Sequence, residues 1–256
     1  MAKVRRLKRP VQLELPISAP AKKATRGGIR EGAGRKPGLE RRLVRHRVRE
    51  GHSPSHPLHV VLRSKFRPLR SPFVFPMLRS ALARATRARL GFRIVQFSVQ
   101  KDHLHLIVEA TDKRALSRGM QGLAIRVARA VNRLVFRRGK VWADRFFSRA
   151  LTSPRAVRTA LAYVLNNFRK HRVGAASRID PYSSAPYFEG FLELRGRAPA
   201  ELPPSPAFPL APRGLSPPRD PAELPVVRAK TWLAGMGWRR SGLIACSESP
   251  RSDRIS

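Results

Sequence analysis

Two histidines separated by one residue, His103 and His105, stand inside the apolar, β-branched run from Ser98 to Ala110. In an extended strand, residues i and i+2 face the same way, so the two imidazoles project together. Leu104, Leu106 and Val108 then point to the other side, into a core, and Ile107 continues the histidine side. Paired imidazoles on a strand form half of a divalent-metal site, although such a pair also occurs as two partly exposed histidines. A second group with chemical capacity is Tyr163. Val157, Leu161, Val164, Leu165 and Phe168 fall on one side of a helix, and Tyr163 lies roughly 150° from the middle of that stripe. A tyrosine kept for packing belongs on the stripe, so this one either has a use off the core or is an ordinary exposed tyrosine. Asn167, one turn on, shares its side, and a metal held near Asn167 would lie close to the phenol.

These groups need a frame, and the chain supplies one from about His56 onward. His59 to Arg63 alternates as a first strand. Phe73 to Leu90 has helical spacing, with Leu78, Leu82 and Ala85 as its apolar positions. Phe92 to Gln100 is a second strand, and Lys101-Asp102 is a tight connection into the histidine strand. Residues 114–138 form the strongest helix, with Leu116, Met120, Leu123, Val127, Val131, Leu134 and Val135 as the apolar stripe. After a turn at Gly139 comes a short aromatic strand. Thr152-Ser153-Pro154 then starts the tyrosine helix with a hydroxyl cap and a proline in the first turn. The order β-α-β-β-α-β predicts an α+β, ferredoxin-like sheet, with the tyrosine-bearing helix added at its C-terminal end.

Charge narrows the partner. The 256 residues carry 53 Lys and Arg against 16 Asp and Glu, a formal net charge of +37. A field of that size points to a polyanion, with nucleic acid ahead of an acidic membrane surface. Arg126, Arg129, Arg133 and Arg137 form a second stripe on the strongest helix, reading either as a phosphate-facing row or as a solvated face. The single cysteine, Cys246, excludes a disulfide framework and a cysteine-based zinc cluster. No apolar run reaches the length of a membrane span, and the basic N-terminus lacks the apolar segment of a secretory signal, so a soluble, cytoplasmic protein is expected.

Outside the frame, residues 1–52 read as a disordered basic arm. In it Gly32 to Gly38, with Arg35 and Lys36, resembles an AT-hook core for a DNA minor groove, or serves as a flexible linker. Residues 176–225 read as a Pro-rich linker that packs nowhere, and 226–256 as a basic tail. Its tryptophans either dock on the core or stack on bases.

His103-Leu104-His105 on a strand, the aromatic stretch Trp142 to Phe147, and Tyr163 with Asn167 on a helix resemble the single-tyrosine HUH transposases. The REP-associated tyrosine transposases of bacteria are the nearest group. The resemblance spans about His56 to Arg172 and implies a catalytic domain over 53–175 that cuts and rejoins single-stranded DNA, often beside hairpins, usually as a homodimer. It implies Tyr163 as the nucleophile forming a 5′-phosphotyrosine. His103, His105 and Asn167 would hold one Mg²⁺ or Mn²⁺. Two positions depart from the family pattern: Asn167 is followed by Phe168 where Pro is common, and Asp102 stands where Asn is frequent. The alternative reading is a non-catalytic DNA-binding regulator derived from a transposase. A chelator separates the two, because a pure binder holds DNA equally well with EDTA.

Overall fold

The computed structural model describes residues 50–87, 91–170, 179–194 and 224–249. Arg35, Lys36 and almost all of the basic arm lie outside the described residues. The frame runs β1 (Leu58–Arg63), α1 (Phe75–Arg87), β2 (Phe92–Val99), β3 (His103–Ala110), α2 (Lys113–Leu134), β4 (Phe147–Ala150) and α3 (Pro154–Lys170). The four strands form one antiparallel sheet in the order β2-β3-β1-β4, the ferredoxin-like arrangement.

Alternation along the strands decides what packs where. Leu58, Val60 and Leu62 of β1 and Leu104, Leu106 and Val108 of β3 join α1 and α2 in the larger core. Ile107 faces the other way and packs with α3 in the second core. The register slips between Ile94 and Gln96, so β2 changes phase: Phe92 and Ile94 enter the larger core, Val95 the second, and Phe97 and Val99 the larger again. α2 lies close on the sheet because Gly119 has no side chain; a Cβ there would meet the Phe92 ring at 2.2 Å. Asp112 caps α2 by accepting from the Arg114 and Ala115 amides at 2.6 and 2.8 Å. Ser153 caps α3, its hydroxyl accepting from the Ala156 amide at 3.2 Å.

Two expectations need correction. α2 stops at Leu134, short of residue 138, because the chain turns at Phe136 with φ of 49°. The linker expected over 176–225 is built into the molecule at 179–194. Asp180 is fully buried and grips Arg70 through two hydrogen bonds of 3.0 and 2.7 Å. Two backbone hydrogen bonds, Val99 to Tyr182 and Ser184 to Phe97, then lay the following residues along the outer edge of β2. Once that arginine–carboxylate pair fixes the turn, composition no longer dictates a linker.

Of the two readings of the C-terminal tail, docking on the core is the one it adopts over 224–249. α4 (Trp232–Gly235) and the turn at Gly237–Ser241 place Trp238 and Ile244 in the second core, while Trp232 stays half exposed. The anchor is Glu109 of β3, itself buried. Its carboxylate accepts from the Arg93 guanidinium, the Lys230 and Thr231 amides and the Thr231 hydroxyl.

Candidate functional site

The histidine face of the sheet is the face α3 covers. His103 and His105 point there together, with ring centroids 4.7 Å apart. Leu104 and Leu106 are fully buried on the other side. β1 adds two residues that sequence reasoning passed over. It pairs Arg63 with His103 and His59 with Ile107, and cross-strand partners share a face. His59 is buried, and its Nε2 lies 3.2 Å from Nδ1 of His105, with the two rings stacked at 5.3 Å. Burial, helped by the positive charge of Arg149, lowers the His59 pKa to about 4, so the ring is neutral at pH 7.

Asp102 orients the first histidine. Its carboxylate lies 2.7 Å from Nδ1 of His103. A carboxylate can only accept, so Nδ1 carries the hydrogen and Nε2 of the neutral ring keeps its lone pair. Burial alone would push this carboxyl up. The His103 hydrogen bond and the charges of His103, Arg67 and Arg63 outweigh it and hold Asp102 below the usual carboxylate range.

α3 presents three sectors. Val157, Leu161, Val164 and Leu165 pack in the second core with Val95 and Ile107 of the sheet. Arg158, Asn166 and Arg169 hold the tail: Asn166 donates to the Ala245 and Glu248 carbonyls, Arg169 to that of Cys246, and Arg158 to Leu243 and the Glu248 carboxylate. Tyr163 occupies the third sector, half-buried and edge-on to His105 at 5.2 Å and to His59 at 6.0 Å. Burial raises its pKa above 10, and Arg63 pulls it part of the way back.

Asn167, one turn on, is fully buried, and neither polar atom of its amide has a hydrogen-bond partner. Leaving such an amide unpaired costs roughly 1–3 kcal/mol. An amide oxygen of this kind on the tyrosine helix could serve as a metal donor. Together with the two imidazoles, this donor set suits a hard to borderline divalent ion. Among the described residues, no three His, Cys, Asp or Glu side chains are grouped to hold a metal.

The structure therefore brings Tyr163 to His105 and to His59. It does not bring the α2 arginines there. Arg129 and Arg133 are exposed and Arg126 and Arg137 half-buried, on a helix that packs against the opposite face of the sheet. His59, Arg63 and Asp102 did carry a signal, since all three flank the histidine pair once β1 is aligned antiparallel to β3.

Residues 53–167 match the family model described as Transposase IS200 like. This segment, a little under half of the chain, is similar to the IS200-like transposases. A solved structure of a REP-associated tyrosine transposase bound to a REP hairpin is similar over 55% of this chain and 82% of that chain, at 20% identity and a TM-score of 0.46. No curated protein matches the chain. The family resemblance expected from the His103, His105 and Tyr163 motifs thus stands on the family model, and the ferredoxin-like α+β frame is the one the strands adopt. Among the described residues no helix is long and apolar enough to cross a membrane.

Proposed function

We propose that this protein is a transposase that cuts and rejoins single-stranded DNA by transesterification at Tyr163. The observation that carries the reading is the meeting of two elements: α3 sets the Tyr163 ring edge-on to His105 of β3 and carries, one turn on, an asparagine amide left without partners. In this reading His103, His105 and Asn167 are the chain's ligands for one Mg²⁺ or Mn²⁺. When bound, such an ion neutralises charge growing on the scissile phosphate. His59 and Asp102 orient the two imidazoles, and Arg63 supplies a fixed positive charge at the mouth of the site.

The phenol oxygen of Tyr163 forms a bond to phosphorus, the bond from phosphorus to the 3′ oxygen breaks, and that oxygen takes the proton. The product is a 5′-phosphotyrosine and a free 3′-hydroxyl. One phosphoester replaces another, so the reverse step rejoins strands without a nucleotide cofactor. A burial-raised phenol attacks poorly as the neutral group. A metal held by His103, His105 and Asn167 would supply the charge that eases loss of the phenol's proton. Each chain supplies one tyrosine nucleophile, so two cuts call for a homodimer. The substrate is a hairpin-bearing single strand at the nucleoid, in the cytoplasm.

The test incubates the protein with Mn²⁺ and oligonucleotides carrying hairpins from the DNA flanking the gene. Wild type forms a covalent protein–DNA adduct on a denaturing gel, and Tyr163→Phe, His105→Ala and EDTA each abolish it. Binding by all of these with no adduct in wild type would leave the non-catalytic regulator.

A further inference from the structure

We propose that Phe136 is a stacking platform for an unpaired base of single-stranded DNA. The proposal rests on the DNA-processing reading above and adds a recognition element that the chemistry does not require. Phe136 follows the last turn of α2 and is 99% exposed, so its ring contributes nothing to the core. Its φ of 49° lies in the left-handed region, where L-residues are strained and where glycine or asparagine ordinarily ends a helix. A bulky apolar residue in a strained conformation, fully in water, is costly twice over as a piece of fold. It makes sense as a surface held ready for a partner.

The setting identifies that partner. The flanking Arg133, Arg138 and Lys140 are exposed. The tip is built, not loose: the Arg137 amide donates to the Asn132 carbonyl at 3.0 Å, Asn132 Nδ2 to Gly139 at 2.9 Å, and the Arg137 guanidinium to Lys140 at 3.3 Å. An aromatic face ringed by cations fits a nucleic-acid strand, with the phosphates on the cations and a base on the ring. A paired base has both faces stacked already, so the occupant is an unpaired base, as in a hairpin loop or a free strand.

The tip also lies at the right end of the sheet. Lys65 donates to the Val141 carbonyl, Ala143 to that of Arg63, and Ser64 to that of Asp102. Arg63 pairs with His103 in the ladder. A strand held at Phe136 is thus delivered to the end of the sheet where the histidine site begins.

Phe136→Gly gives a test that misfolding cannot mimic. Glycine relieves the backbone, so this variant melts at a higher temperature than wild type. Its affinity for an oligo(dT) probe carrying one 2-aminopurine falls about tenfold, and the quenching of that base on binding is lost. The slope of log K against log salt is unchanged, because no charge is removed. Phe136→Trp keeps affinity and quenching, and blunt duplex DNA binds both variants as it binds wild type. Equal oligo(dT) affinity in wild type and Phe136→Gly would overturn the proposal, as would a Phe136→Gly loss accompanied by a lower melting temperature and an equal loss in Phe136→Trp. The two readings fail separately. A Phe136→Gly effect on binding with no covalent adduct in wild type keeps the platform and removes the chemistry. An adduct with no Phe136→Gly effect does the reverse.

Discussion

Asn167 and His59 are costly to the fold, and each cost can be measured. With its amide unpartnered, Asn167→Leu should leave the metal-free protein unchanged or stabilise it by about 1 kcal/mol, while covalent adduct formation is lost. Denaturant melts and the adduct gel on the same sample check both halves; clear destabilisation would mean the amide has structural partners. His59 carries a pH signature. Its pKa of 6.5 in the unfolded chain falls to about 4 in the fold. Stability from this group is complete above 6.5 and is lost as pH drops toward 4, by roughly 3 kcal/mol. Thermal melts across that window should slope less steeply for His59→Gln than for wild type. Equal slopes would show that the ring titrates normally.

At the scale of elements, α3 is held from two sides, and only one of them could be read in the sequence. The spacing of Val157, Leu161, Val164 and Leu165 identifies the sheet-facing stripe. The tail-facing row, Arg158, Asn166 and Arg169, looks like an ordinary polar surface, because its partners are backbone carbonyls some eighty residues away that no local pattern announces. Docking of the tail was one of two open readings, and its anchor was hidden for the same reason: nothing local ties Glu109 to the amides of Lys230 and Thr231. The histidine pair was legible because period two fixes its face, whereas His59 became visible only through pairing of β1 with β3. If the tail matters as its contacts indicate, Trp238→Ala should cost roughly 4 kcal/mol and Glu109→Gln roughly 2 kcal/mol. A chain that melts normally without either group would show the tail to be a passenger.

For the whole molecule, the net charge of +37 is a standing repulsion that a polyanion relieves. Its geometry is two-sided: the histidine site lies on one face of the sheet, and the exposed Arg129 and Arg133 of α2 lie beyond the other. If that row holds phosphates, Arg129→Gln with Arg133→Gln lowers the salt slope of DNA binding by about 2. An unchanged slope would return the row to plain surface. The docked tail carries one more implication, which concerns the order of synthesis. The sheet, both histidines and Tyr163 leave the ribosome well before Trp238 and Ile244, the residues that complete the packing around the tyrosine helix. Glu109 waits 122 residues for Thr231. A chain broken off before Trp238 therefore carries His103, His105 and Tyr163 but lacks the contacts that pack the tyrosine helix from its second side.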